Sequence, residues 1–232
     1  MNEVVELIEM NENYKHKVKN VSYLSVKTKL YLPFKRLMDI FFGIIGIILT
    51  IPFFAIIKIS YLINGDNAPI IFKHKRIGKN GKEFKLYKFR TMVPNAEKIL
   101  KEMLKDKRYL NEWKEYHKFD NDPRITKVGG IFRKLSLDEL PQFINILKGD
   151  MSLIGPRPLI KEEVKEYRNK KKLLLSVRPG LTGWWACHGR SCTSNKQRQN
   201  LELYYVKNCS FILDIKTFFL TIVKVLNQNG AK

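Results

Sequence analysis

The stretch Ile40–Ile57, IFFGIIGIILTIPFFAII, runs eighteen residues without a charge. As a straight helix it would rise roughly 27 Å, against roughly 30 Å of bilayer hydrocarbon. That is marginal for a crossing, yet a domain of this size has no need of so apolar a core helix. The 39 residues ahead of it, and the lack of a small-residue cleavage site behind it, argue against a secretory signal peptide. Pro52, near the middle, removes a backbone hydrogen bond and kinks the helix. Basic residues flank both ends: Lys27, Lys29, Lys35 and Arg36 before, and Lys58, Lys73, Lys75 and Arg76 after. Such flanks suit a segment whose two ends both stay on the cytoplasmic side. Two readings stand: a helix–break–helix that enters one leaflet and returns, hinged near Thr50, Ile51 and Pro52, or an ordinary kinked crossing.

Outward from that segment, the chain of 232 residues has room for one domain plus a membrane element. With 44% hydrophobic and 28% charged residues it is neither a disordered tail nor a polytopic membrane protein. Lys plus Arg number 43 against 22 Asp plus Glu, a net charge of +21 that calls for an anionic partner: nucleic acid, anionic lipid or phosphorylated small molecules. Three cysteines, Cys187, Cys192 and Cys209, read as free thiols in a reducing compartment. The organisation expected is an N-terminal extension over 1–34, a re-entrant membrane helix over 35–63 and a catalytic domain over 64–232.

Pro69 to Met92 reads as a basic β-hairpin turning at Gly78-Lys79-Asn80-Gly81. Asn95 to Phe119 is amphipathic at helical spacing, with Ile99, Met103, Leu110, Trp113 and His117 on one face, fit either for the domain's core or for an anionic bilayer surface. Phe211 to Leu226 is too interrupted by Asp214, Lys216 and Lys224 to span; it packs on the core or rests at the interface. The fold class expected is α+β, with interfacial amphipathic helices around a small catalytic domain.

The chemistry lies in DPRITKVGGIFRKLSLDELPQFINILKGDMSLIGPRP, Asp122 to Pro158. Asp138 and Glu139 adjoin just ahead of Pro141 and a helical run from Gln142 to Leu147. The bland role for Asp138 is an N-cap, which leaves Pro141 in the first turn where its missing N–H costs little. The surroundings suggest more. Arg133 and Lys134 lie upstream, Arg157 is stiffened between Pro156 and Pro158, and Lys88 and Arg90 add cations. Guanidinium groups hold phosphate by paired hydrogen bonds. Adjacent carboxylates bind hard cations such as Mg²⁺, and a carboxylate is also a nucleophile. Together these suit chemistry on a phosphate or diphosphate.

From Lys35 to about Leu226 the chain resembles the bacterial sugar transferases known as monotopic phosphoglycosyl transferases. The resemblance rests on KRLMD (Lys35–Asp39), KFRTM (Lys88–Met92), DPRITKVGGIFRKLSLDELPQ (Asp122–Gln142), DMSLIGPRP (Asp150–Pro158), RPGLTGW (Arg178–Trp184) and LELYYVKNCSFILDIK (Leu201–Lys216), in that order. It implies transfer of a sugar 1-phosphate from a UDP-sugar to undecaprenyl phosphate with release of UMP, at the cytoplasmic face of the cell membrane. By the resemblance Asp138 is the nucleophile that forms an acyl-phosphate, Glu139 its dyad partner, and the two hold Mg²⁺. The likeness makes Arg133 and Arg157 phosphate ligands and places Arg178 near the nucleotide; Lys88 and Arg90 are the further phosphate-binding candidates read from the residues. The resemblance also implies a re-entrant membrane helix, with Thr50-Ile51-Pro52 at its break. Anionic lipids are expected partners and a homodimer a further one, with no nucleic acid. Lys35 or Arg36 is expected to pair with Asp214, tying the membrane helix to the C-terminal helix.

The chain departs from the family pattern twice. His74-Lys75-Arg76 stands where the family often has Gln-Glu-Arg, and Trp185-Ala186-Cys187-His188 where it commonly has Ala-Gln-Val-Asn. Both bear on sugar or nucleobase preference and leave the carboxylate pair intact. Rival readings are a nucleic-acid binder, suggested by a pI near 9.8, a zinc site from Cys187, His188, Cys192 and Cys209, and a basic membrane-associated binding or scaffold protein without catalysis.

Overall fold

The computed structural model describes residues 24–116, 119, 121–188 and 193–226. Ser25 starts the first helix, its Oγ accepting from the Thr28 N–H at 3.0 Å as an N-cap. From there α1 (Val26–Ile63) runs as one helix through Pro33 and Pro52, roughly 57 Å at 1.5 Å per residue. It therefore begins inside the stretch expected to be an extension. Helical backbone continues through Thr50-Ile51-Pro52, where the break was expected. The Thr50 hydroxyl, fully buried, donates back to Gly46 O at 2.6 Å, a back-bond of the kind that bends helices without ending them.

The buried residues of α1 are Thr28, Lys35, Asp39, Gly43, Gly46, Thr50, Ile57 and Tyr61, stepping by three, four or seven along one face. The opposite face, with Leu30, Leu37, Ile44, Ile48, Ile51, Ile59 and Ile63, is exposed hydrocarbon. Polar and small residues thus face the protein through most of the helix and oily ones face outward, the reverse of a soluble amphipathic helix. Both ends are fastened to the same body. Near the start, Thr28 Oγ1 donates to Cys209 O, and Asp39 Oδ1 accepts from Ser152 Oγ and the Leu153 N–H at 2.9 and 2.8 Å. Near the end, Ile57 and Tyr61 are buried with Phe89 and Phe132, and the Tyr61 hydroxyl donates to Arg90 O.

The expected hairpin is present: β1 (Ile71–Ile77) and β2 (Glu83–Phe89) pair antiparallel, Ile71 opposite Phe89 and Ile77 opposite Glu83. Asn80 (φ 58°) and Gly81 (φ 80°) make its turn in the left-handed region that Asn and Gly tolerate best. The long amphipathic helix expected from Asn95 is two, α2 (Ala96–Met103) and α3 (Lys107–Tyr116). The division falls at Asp106, whose Oδ1 accepts from the Arg108 N–H at 2.9 Å and caps a new helix. His117 lies outside the described residues. Then follow α4 (Lys127–Lys134), a 3₁₀ turn at Leu137–Glu139, α5 (Gln142–Lys148), β3 (Ser152–Ile154), α6 (Lys161–Glu166), α7 (Lys171–Leu174), β4 (Gly180–Thr182), α8 (Trp184–Cys187), α9 (Asn195–Asn208) and α10 (Phe211–Leu226). Strands β3 and β4 pair in parallel, Ser152 opposite Gly180. The class is mixed helix and sheet, as expected.

Two contacts set the height of α5 against α1. The ring of Phe143 fills the place of a Gly46 side chain, where a Cβ would come within 2.3 Å of it, and Leu147 does the same at Gly43. One face of α10 packs on the core, the first of the two alternatives read from the sequence, and the other is exposed. Leu213, Asp214 and Thr217 are buried, while Ile212, Phe219 and Val223 are exposed.

Candidate active site

The carboxylate pair is presented by a short run of constrained backbone. Helix α4 ends at Lys134, Ser136 takes a left-handed conformation (φ 57°), and Leu137–Glu139 form a single 3₁₀ turn. Pro141, not Asp138, is the N-cap of α5. The capping role expected for Asp138 is thus incorrect, and the Ser136 side chain makes no capping hydrogen bond either. The first N–H groups of α5 go to backbone carbonyls instead, Phe143 to Leu140 O and Ile144 to Pro141 O, both at 3.1 Å, so the Asp138 side chain is not drawn into capping.

What Asp138 meets instead is Lys88, from the end of β2. The ammonium donates to Glu139 Oε1 at 2.7 Å and reaches Asp138 Oδ2 at 3.5 Å. The Asp138 side chain is only 13% exposed and that of Glu139 37%, so one acid is sheltered and the other faces out. Burial raises the Asp138 pKa, with Lys88 and Arg133 opposing and Glu139 reinforcing the rise. On Lys88 burial acts downward, but Glu139 and Asp138 outweigh it and lift the pKa above the ordinary lysine value.

Asn145 keeps these parts in register. It is completely buried on α5, where Oδ1 accepts from the Tyr87 N–H at 3.0 Å and Nδ2 donates to Lys85 O at 2.8 Å. The amide thereby continues the ladder of β2 and joins the helix behind Asp138 to the strand that carries Lys88. At the far end of α5, Gly149 (φ 84°) closes the helix. There Arg36 of α1 donates to Ile146 O and Leu147 O at 2.6 and 2.8 Å, satisfying carbonyls that a helix C-terminus leaves open.

The other expected site residues divide. Arg133 donates from Nε to Thr91 Oγ1 at 2.8 Å, and its charge acts on Asp138. The Arg157 guanidinium lies 5.6 Å from the Trp185 ring centre and acts electrostatically on Lys88. Arg90 is engaged elsewhere: it donates to Pro69 O, Met92 O and Asp66, pairing with Asp66 at 2.8 Å, and stacks on Tyr61. Arg178 donates to Gly149 O at 2.8 Å beside Lys35, Asp39 and Lys79. Of the anchor residues, Lys35 and not Arg36 pairs with Asp214, both buried, and that carboxylate also accepts from Tyr31 and Tyr205 at 2.7 and 2.6 Å. Pro52 sits on the exposed side of α1.

Among the described residues no three His, Cys, Asp or Glu side chains cluster to hold a metal. Two adjacent carboxylates still fit Mg²⁺, which commonly takes one or two from the protein and the rest from water and substrate phosphate. Cys187 lies against Thr217 and Thr221, and Cys209 against Tyr205. His188 stacks on Trp184, and Cys192 falls outside the described residues.

Sequence reasoning left out the second set of charges beside Arg157. Glu163 accepts from Arg198 at 3.1 Å and lies 3.6 Å from Arg76, whose guanidinium also reaches Pro158 O and His74 Nδ1. Buried Glu202 accepts from Tyr167 at 2.6 Å, and burial pushes its carboxyl up to about 7.

The family model for bacterial sugar transferases matches residues 30–228, and the chain belongs to that family. It is 43% identical over 198 residues to the undecaprenyl-phosphate galactose phosphotransferase of Salmonella typhimurium, covering 85% of this chain and 41% of that protein. It is 39% identical over 198 residues to the exopolysaccharide production protein ExoY of Sinorhizobium fredii, covering 85% and 87%. It is 37% identical over 210 residues to a UDP-N-acetylgalactosamine-undecaprenyl-phosphate N-acetylgalactosaminephosphotransferase of Aeromonas hydrophila, covering 88% and 46%. The chain thus spans less than half the length of two of these relatives and most of ExoY.

Proposed function

We propose that this chain is a membrane-bound phosphoglycosyl transferase that moves a sugar 1-phosphate from a UDP-sugar to undecaprenyl phosphate, an early membrane step of bacterial polysaccharide or glycoconjugate synthesis. The observation that carries the reading is the sheltered Asp138 carboxylate beside Glu139, bridged by Lys88, on a body whose long helix turns an oily face outward. An Asp138 oxygen attacks the sugar-bearing phosphorus. The bond from that phosphorus to the bridging oxygen breaks, and UMP leaves with the electron pair. An oxygen of undecaprenyl phosphate then attacks the same phosphorus and the aspartyl bond breaks, regenerating the carboxylate. Burial that raises the Asp138 pKa makes its ionised form the better nucleophile, while Lys88 and Arg133 keep it ionised. Arg157 and Lys88 hold the phosphate oxygens. Asp138 and Glu139 would hold Mg²⁺, which supplies neutralising charge to the diphosphate.

A polyprenyl phosphate carries its phosphate at the headgroup plane, so the carboxylate must stay at that height. A helix fastened to one body near both ends suits entry into and return from a single leaflet, with the catalytic domain on the cytoplasmic face. The test is to give the enzyme a radiolabelled UDP-sugar alone and look for label on the polypeptide, lost in Asp138→Asn, then add undecaprenyl phosphate and score UMP. Absence of both sugar phosphate on the protein and UMP release refutes the reading and leaves the scaffold alternative. Topology is tested with Asn67→Cys in a Cys192→Ser background: reagent outside inside-out vesicles should label it, and protection refutes the re-entrant arrangement.

A further inference from the structure

Two residues 111 positions apart in the sequence border the charges around Arg157: His74 stands opposite Leu86 on the hairpin face that bears Lys88, and Trp185 lies against Arg157. His74 comes from β1, and its Nδ1 lies 3.1 Å from Arg76 Nη2. A guanidinium only donates, so Nδ1 is the acceptor and the neutral ring carries its proton on Nε2. Burial, then the charges of Arg76 and Lys88, lower the His74 pKa and keep that ring neutral; Glu163 opposes and Arg157 reinforces the effect. Trp185 comes from α8. Its indole N–H donates to Thr193 Oγ1 at 2.7 Å, and its ring lies 5.6 Å from the Arg157 guanidinium and 6.0 Å from that of Arg198, within cation–π range.

The two share one charged framework. Arg76 reaches Pro158 O at 3.2 Å and so holds the turn that bears Arg157, while Glu163 joins Arg76 to Arg198. A neutral N–H donor and a flat apolar ring therefore both lie near a guanidinium that acts electrostatically on Lys88, the partner of Glu139. In a UDP-sugar, which this inference takes from the reading above, the sugar is bonded directly to the phosphorus under attack. The base is separated from it by a second phosphate and a ribose. Groups flanking Arg157 and Lys88 therefore meet the sugar. By the resemblance drawn from the sequence, these are also positions where the chain departs from the family's common pattern, His where Gln is frequent and Trp where Ala is. Neither departure alters Asp138, Glu139 or Lys88.

We propose that His74 and Trp185 act together as the sugar-specificity determinants: His74 offers a donor to a ring substituent, and Trp185 narrows the space over Arg157. The test is kcat/KM for UMP release from UDP-galactose, UDP-glucose, UDP-N-acetylgalactosamine and UDP-N-acetylglucosamine. It compares the wild type with His74→Gln, Trp185→Ala and their double variant. Loss of one polar or packing contact to a substrate is worth about tenfold or more in discrimination. The expected result is a shift of about that size in the ratio between the two best donors in the double variant, and single-variant shifts that do not multiply to give it. Trp185→Phe, which keeps a ring over Arg157, is expected to shift the ratio less than Trp185→Ala; it replaces Trp185→Ala in the comparison if that variant does not fold. Ratios within about twofold of wild type in every folded, active variant overturn the inference while leaving the activity standing. A wild type that releases UMP from no donor overturns the activity reading, and this inference with it.

Discussion

Asn145→Asp is the most informative single change outside the reacting groups. The substitution keeps shape and keeps Oδ1 as acceptor for the Tyr87 N–H at 3.0 Å. It converts Nδ2, which donates to Lys85 O at 2.8 Å and Asp150 Oδ2 at 3.2 Å, into a second acceptor facing both. Two hydrogen bonds are lost and an anion is set against a carbonyl and a carboxylate at a fully buried position. A buried polar group deprived of its partner costs about 1–3 kcal/mol, so the total is roughly 3–5 kcal/mol, diminished if the introduced carboxyl takes up a proton. For a domain of this size each kcal/mol lowers Tm by about 2–4 °C, giving a fall of about 6 °C or more. Tryptophan fluorescence during a thermal ramp in detergent reads it. Because the amide also fixes Lys88 relative to Glu139, kcat should fall with KM for donor less affected. A Tm within about 1 °C of wild type refutes the claim that Asn145 is the joint between α5 and β2.

Asp214→Asn leaves the Lys35 ammonium buried without its carboxylate, a change that costs about 3–5 kcal/mol when a buried pair is broken. It should lower membrane yield, and Lys35→Met in the same chain should restore part of the loss; unchanged yield and activity would contradict the anchor. The raised Asp138 pKa puts the acid limb of kcat/KM above the usual carboxylate range of about 4. Lys88→Met, which removes the main opposing charge, should move that limb to still higher pH, as a pH–rate profile would record. Since the folded pKa exceeds the unfolded one, the fold loses stability as pH rises from the unfolded value through the folded one. Asp138→Asn should therefore raise Tm at neutral pH and have no such effect near pH 3. Glu202, pushed up to about 7, follows the same sign: Tm of the wild type should decline between about pH 4.5 and 7 more steeply than that of Glu202→Gln, by ramps at stepped pH.

Local patterning made the hairpin legible, because alternation and the Lys79-Asn80-Gly81 turn are short-range facts. The carboxylate pair stood out through adjacency, and the Lys35–Asp214 tie through two charges stranded in apolar surroundings. The capping error had a local cause too: Asp before a proline is a good N-cap, and only the left-handed Ser136 showed that the chain uses a 3₁₀ turn first. Asn145 was hidden because a polar residue in a helix carries no sign of which strand it will complete. Arg90 looked like a phosphate ligand by proximity in sequence, but Asp66 and three carbonyls lie closer in space. The continuity of α1 through Pro52 runs against the local propensity of proline, which is all that a window of sequence conveys.

The inward stripe of α1 also governs how the protein is made. Lys35, Asp39 and Thr50 leave the ribosome on a helix whose other face already favours lipid, yet the partners of Lys35 and Asp39 are Asp214 and Ser152, synthesised far later. Until those arrive, Lys35 and Asp39 have only water or headgroups to satisfy them, and hydrocarbon offers nothing. On the membrane reading proposed above, a generic hydrophobic anchor in place of α1 would lack the groups that Asp214 and Ser152 later meet, and the body would have nothing to close upon.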